Sequence, residues 1–495
     1  MANEALQEEL KKQKRISKTV TILIFCLLTS FVGFLLGLKI GTPDQNYAHV
    51  LKVLNILEEE WYSEIYYPNQ KDAPIAQFIS SVANLDTNKQ LDPYTYLIKR
   101  QPSVVDTKGK LGIKIQNCFN SNFQLIKTVY PSSPAQKAGL KPYDLIYGVQ
   151  LDDEEMIFDN YSSYLSGTIG ETITLLVYRT SEDQFLKIPI TYGKVTYPTA
   201  YEYSQTEDSI LYVQLDGFVS DITGSNTVDE LDAILKENKD KDYLILDLIN
   251  NGGGALDSVV QICDLFLPSK QLVAMIETKN KDHTKYQTKS KEAYTFDHIF
   301  LFMNENTASA SEILIGCLSY YLPNLTIIGT NTYGKGIAQR TINITSEYDF
   351  QYTFAKWFTP DNQWIHTTGF APTSFEDKIN KSQDYLSFTS TWLDMDLSLQ
   401  YDQVDTKNIK ALQILMNQIL DLEVPLREDG YFDEATKQAI LNFQNHNGLE
   451  ENGIIDEKTL LYFAIEYAKT VYQFDSQYVQ RVLEITKEES TNGTI

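Results

Sequence analysis

The sequence predicts a multidomain chain: one membrane-spanning helix, a helical segment, a small β domain, an α/β core with crossover helices, and a small C-terminal domain of three helices. Three observations predict it. An uncharged run, "TVTILIFCLLTSFVGFLLGL" (19–38), follows a cationic stub. From about 196 to 390, buried-strand patterns such as "YLILDLI" and "HIFLFMN" alternate with helical ones such as "DSVVQICDLFL" and "SEILIGCLSYYL", the order of a parallel sheet with crossovers. Near the C-terminus, "DGYFDEATKQAI" (429–440) is echoed by "NGIIDEKTLLYF" (452–463).

Composition bounds the function. A chain of 495 residues is too long for one core, at about 100–200 residues per domain. With 43% apolar and 22% charged residues, most of it should fold. The net charge of −24 and pI near 4.6 repel phosphate backbones, which argues against nucleic acid as a partner. Cys26, Cys118, Cys263 and Cys317 make no CxxC pair and no Cys/His cluster, so neither a metal nor another cofactor is expected. His49, His283, His298, His366 and His446 are scattered.

The elements follow in order. Residues 1–18 form a stub in which "KKQKR" (11–15) and Lys18 flank the apolar run. That run, 19–38, is roughly 30 Å long as a helix, and the span is taken as 19–41. The flanking cations put the N-terminus in the cytoplasm and the rest outside, as a single-pass cell-membrane protein. A cleaved signal peptide fits less well, because the run is long and no A-x-A site follows it. Residues 44–91 carry apolar positions at helical spacing, as in "YAHVLKVLNILEEEWY". Residues 92–192 hold short alternating strands around "SPAQKAGL", a short helix. Residues 193–390 are the α/β core, 400–470 the helical domain, and 471–495 a polar tail expected to fray.

"SPAQKAGL", "DLI" and "LSGTIGETITLLVYR" together resemble a PDZ domain. The resemblance implies docking of an extended peptide at a sheet edge, with its terminal carboxylate held by the amides of Leu111, Gly112 and Ile113 in "GKLGIKI". Tyr143 in "KPYD" stands where that family usually has Gly.

"NENTASASEILIGCL" (304–318) sets Ser309 and Ser311 at the mouth of a helix. Capping explains such serines by default, and Glu312 would complete a capping box with Ser309. With "NTYGKGIAQR" downstream, however, the stretch resembles the C-terminal processing peptidases, or tail-specific serine proteases. The resemblance implies Ser309 as nucleophile, Lys335 as base and Gln339 as the residue orienting the lysine, with Ser311 beside the helix and Thr307 replacing the family's first serine. A serine hydroxyl needs a base, and a lysine can serve only where burial lowers its pKa toward neutrality. Gly334 and Gly336 allow close backbone approach, and Tyr333 is expected as an apolar wall. The oxyanion needs two donors. One is expected from the amide of Ala310. The other comes from "DLINNGGGAL" (247–256), which resembles the family's "DLRNNPGG" and assigns Gly253, with Gly252 or Gly254 as alternatives. Ile249 and Gly252 replace the family's arginine and proline.

"IKALQILMNQIL", "DGYFDEATKQAILNFQ" and "GLEENGIIDEKT" resemble a small three-helix peptidoglycan-binding domain. Together the resemblances imply a membrane-anchored serine endopeptidase that docks substrate C-terminal tails, with peptidoglycan as a further partner and self-association through the terminal regions. A non-catalytic envelope scaffold is the alternative, and the presence of Ser309, Lys335 and Gln339 together argues against it.

Overall fold

The computed structural model describes residues 52–57, 59–61, 93–100, 108–118, 123–151, 154–157, 161–203, 207–220, 226–289, 293–379 and 401–492. The stub, the span expected over 19–41 and most of the helical segment 44–91 lie outside the described residues. The chain divides into two compact units, one holding 278–281, 338–355 and the residues before 104, the other holding the rest.

In the first unit, a helical stretch at 52–57 buries Val53, Ile56 and Leu57 with Trp61 against Phe350 and Tyr352. The strand Tyr96–Lys99 pairs antiparallel with the stretch 348–351.

The second unit begins with an antiparallel sheet: β1 (Ile113–Asn117), β2 (Gln124–Val129), β3 (Asp144–Leu151), β4 (Thr172–Arg179) and β5 (Gln184–Thr191), in that spatial order. β1 ends this sheet among the described residues. Helix α1 (Pro134–Ala138) is bounded as its sequence dictates. Ser133 accepts from the Gln136 amide, Pro134 fills the first position, and Gly139 closes it in a left-handed turn. At the next turn Tyr143 takes φ 65, a left-handed conformation costing a side-chain-bearing residue about 1–2 kcal/mol. That explains why glycine is usual there. Arg179 secures this turn through two bonds to Asp144, at 2.9 and 2.8 Å.

The core of the unit is a second sheet, β6 (Ala200–Glu202), β7 (Ile210–Leu215), β8 (Tyr243–Asp247), β9 (His298–Met303) and β10 (Leu325–Gly329), again in sequence order. β6 pairs antiparallel, and the other neighbours pair parallel. Helices α2 (Thr227–Glu237), α3 (Leu256–Phe266) and α4 (Ala310–Tyr321) connect the strands. Strands buried on both faces need continuous apolar runs, and "YLILD" and "HIFLFM" supply them.

The sequence echo has a structural meaning. In helix α5 (Asn408–Ile419), Gln413 donates to Tyr431 O and Thr436 Oγ1 and accepts from Gly430. In helix α6 (Glu434–His446), Gln444 donates to Ile454 O and Thr459 Oγ1 and accepts from Gly453. Each buried glutamine clamps one turn and the start of the next helix, capped by Asp433 or Asp456.

The expected polar tail is corrected here. Helix α7 runs unbroken from Glu457 to Asn492, well past residue 470. No Gly or Pro interrupts residues 457–492, and Tyr467, Tyr478 and Val482 are buried along it. The helical domain also shares one core with the β domain: Phe123, Leu125 and Leu145 pack in the same cluster as Leu412, Phe432 and Phe463.

Candidate active site

The carboxyl ends of β8 and β9 lead into two loops, 248–255 and 304–309, the edge of a parallel sheet where sites form. Loop-to-loop bonds lock them together. The Ala308 amide donates to Asn251 O at 3.0 Å, and the Thr307 hydroxyl donates to Leu248 O at 2.8 Å. Asn250, at φ 61, exchanges two bonds with Asn304, at 3.0 and 2.9 Å.

The two serines are distinct. Ser311 is fully buried and its hydroxyl donates to Asn251 O at 2.9 Å. Ser309 is half-buried and adopts φ 61, ψ −117, a backbone conformation a non-glycine residue rarely takes. Strain of this kind concentrates at functional positions. It puts Ser309 at the N-terminus of α4, where Ala310 is the first helical residue and its amide has no intrahelical acceptor.

Glu312 binds the serine loop to the lysine loop. Its buried carboxylate accepts from the Ser309 amide at 2.8 Å and the Lys335 amide at 2.8 Å, both at Oε2. At Oε1 it accepts from the Gly334 amide at 2.7 Å and the Thr332 hydroxyl at 2.6 Å. The lysine loop is fixed from its other side as well. Trp357 Nε1 donates to Lys335 O at 2.8 Å and Trp364 Nε1 to Gly336 O at 2.7 Å. Gly334 sits at φ 82 with the Thr368 and Gly369 amides where a Cβ would fall, 2.9 Å away, so only glycine fits. Gly336 abuts the backbone of His366, whose ring stacks on Trp364.

Tyr333 is 55% exposed, so the apolar wall expected of it is not a covered ring. Lys335 itself is half-buried. Gln339 belongs to the first unit, on the strand Ile337–Asn343, with its Nε2 3.5 Å from Thr353 Oγ1.

Gly253 lies directly against Ser309. A Cβ there would fall 2.7 Å from Ala308 O and 2.8 Å from Ser309 Cβ, at φ 101. Its amide, however, donates to Asn251 Oδ1 at 2.9 Å. An oxyanion would have to take that hydrogen bond from Asn251. On the β domain, Leu111 is buried and its carbonyl accepts from Ala135, Gly112 takes φ 80 against Ser133, and Ile113 opens β1.

Sequence reasoning saw Glu312 only as a capping residue. Its contacts with 332–335 come from a loop about twenty residues away, so nothing local signals them. The same holds for the Asn251 side chain and the two tryptophans.

Asp247, at the end of β8, is buried and accepts from Tyr212 Oη at 2.7 Å and the Ile249 amide at 2.7 Å. Burial pushes its carboxyl up to about 7, the charges of Asp216 and Asp475 add to the rise, and the two hydrogen bonds oppose it. A raised folded-state value means that the native protein holds a proton the unfolded chain releases near pH 4. Stability from this group is therefore present at low pH and lost as pH climbs from about 4 to about 7, at up to about 1.4 kcal/mol per unit. Urea unfolding of Asp247→Asn should show a flatter decline across that window than the unsubstituted chain; parallel curves would contradict the assignment.

Comparison with known proteins fits this geometry. Residues 209–374 match peptidase family S41, a range that holds Gly253, Ser309, Glu312 and Lys335. Over that stretch the chain resembles the family. Residues 405–461 match a putative peptidoglycan-binding domain. A probable CtpA-like serine protease of Staphylococcus aureus is 28% identical over 472 residues, covering 92% of this chain and 89% of that one. The carboxy-terminal processing protease CtpB of Bacillus subtilis is 29% identical over 382 residues, covering 74% and 75%. In fold, the chain resembles the structure titled a putative S41 protease from Bacteroides fragilis, with a TM-score of 0.51, 17% identity, and 70% and 93% of the two chains covered.

Proposed function

We propose that this chain is a serine endopeptidase of the C-terminal processing type, tethered to the cell membrane by one span with its catalytic part outside. The observation that carries the catalytic reading is the Glu312 carboxylate, which holds the amides of Ser309 and Lys335 on one oxygen. Ser309 Oγ attacks a substrate carbonyl while Lys335 Nζ takes its proton. The Ala310 amide meets the developing oxyanion, joined by Gly253 once its hydrogen leaves Asn251. Collapse of the tetrahedral species expels the amine, which takes the proton back from Lys335. A water, deprotonated by Lys335, then releases the acyl group from Ser309. Gln339 is assigned to orient the lysine.

The β domain is read as a PDZ module. Support comes from β1, which ends its sheet among the described residues and follows the loop Leu111–Gly112–Ile113 assigned to the terminal carboxylate. The helical domain is read as a peptidoglycan anchor. Amidating the C-terminus of an unstructured substrate with an apolar tail should raise KM and leave kcat nearly unchanged. Equal KM for free-acid and amidated tails would remove carboxylate reading, and no turnover of either would favour the scaffold.

A further inference from the structure

Helix α7 continues past the matched domain at residue 461 and runs on to Asn492. This continuation touches both the β domain and the catalytic core. Asp475 Oδ2 accepts from Lys127 Nζ at 2.5 Å and from Tyr143 Oη at 2.8 Å. Lys127 lies on β2 and Tyr143 in the turn before β3. One turn further along the helix, Tyr478 Oη donates to Met303 O at 3.3 Å, at the end of β9, and three residues beyond that Arg481 Nε donates to Asp377 Oδ1 at 2.8 Å. One helix thus grips the β domain with one turn and the peptidase core with the next.

Where the three meet lies a cavity of 720 Å³, within the span of about 300–1,000 Å³ usual for binding sites. Gln116 of β1 borders it on one side, Asn250 and Asn304 of the catalytic loops on another, and Tyr472 and Asp475 of α7 on a third. The strain at Tyr143 bears on the same contact. Glycine would hold φ 65 without penalty. The tyrosine side chain meets Tyr472 edge-on at 5.3 Å, lies under Lys127 Nζ at 4.8 Å, and bonds to Asp475. A strained turn is kept where its side chain reaches α7.

We infer that Asp475 is a positioning residue: through it, α7 sets the β domain against the catalytic loops so that the cavity accepts the extended stretch of substrate between the docked tail and the scissile bond. This rests on the reading that the β domain docks tails. The substrate class is an unstructured polypeptide long enough to reach from β1 to Ser309. A folded C-terminus would not thread a cavity of that size.

The test uses the full chain and two substrates: an unstructured protein with an apolar free-acid tail, and a short peptide from around its cleavage site with no docking tail. Asp475→Ala should raise KM for the tailed protein about tenfold, as expected for losing hydrogen bonds to a charged group, while kcat/KM for the short peptide stays put. Exchanging the charges, Lys127→Asp with Asp475→Lys, should recover much of the KM. Tyr143→Phe, which removes only the hydroxyl, should shift KM the same way by a smaller factor, and guards against misfolding of the first variant. An unchanged KM in all three variants, a uniform loss on both substrates, or faster cleavage of the tailed protein on loss of Asp475, the mark of a brake, would each overturn the inference. Failure of tail docking itself is read separately, from free-acid against amidated tails on the unsubstituted chain.

Discussion

Ser309→Ala and Lys335→Ala should each reduce cleavage of an unstructured protein to background, a loss of about 10⁴-fold or more, and the double variant should be no worse than either. The two groups act as one unit: without the base the hydroxyl is a poor nucleophile, and without the hydroxyl the base has no proton to take. Ser311→Ala separates the neighbouring serine from the reaction. It removes one of two donors to the Asn251 carbonyl, the Ala308 amide being the other, so a stability loss of about 0.5–1.5 kcal/mol is expected with turnover retained. His366→Ala is the most demanding histidine control, because His366 packs against Gly336 beside the lysine. It too should leave the chemistry in place. Measuring turnover and thermal unfolding on the four single variants and the double variant distinguishes chemistry from folding. Full activity in Lys335→Ala would show that another group is the base.

The second large effect is expected at Glu312, which touches no reacting atom. Four donors converge on its buried carboxylate, from Ser309, Thr332, Gly334 and Lys335. Glu312→Gln keeps the shape and replaces one acceptor oxygen with an NH₂ group, which would face backbone amides. Misplacing the nucleophile by about 1 Å can cost on the order of 10²-fold in kcat. We expect a loss of that size in kcat with KM little changed, since substrate contacts remain. Glu312→Asp, a carboxylate set one methylene back, should lie between the two. Steady-state kinetics on the three chains check this. A KM effect at constant kcat would place Glu312 in substrate binding instead.

Much of the architecture was legible because its causes are local. Ser133, Pro134 and Gly139 announce α1 within seven residues, and apolar runs separated by helical periods announce the parallel sheet. The glutamine clamps of the helical domain show in sequence as the echoed LQ and FQ positions with their turns. What was not legible depends on residues distant in sequence. Helix α7 reads as a polar tail because the partners of Asp475 and Tyr478, Lys127 and Met303, lie more than 170 residues upstream. Tyr143 looks like a departure from a glycine turn until Asp475 is placed beside it. The hold of Asn251 on the Gly253 amide depends on the loop conformation, so the sequence could nominate the glycine without showing that its hydrogen is already engaged.

The central claim, that Ser309 is a nucleophile activated by Lys335, is tested most directly by covalent labelling. The full chain and its Lys335→Ala, Ser309→Ala and Ser311→Ala variants would be treated with a fluorophosphonate, and the modified residue located by peptide mass spectrometry. The account predicts label on Ser309 in the unsubstituted chain and in Ser311→Ala, and none in Ser309→Ala or in Lys335→Ala. Label on Ser311, or on Ser309 at an undiminished rate without Lys335, would contradict it.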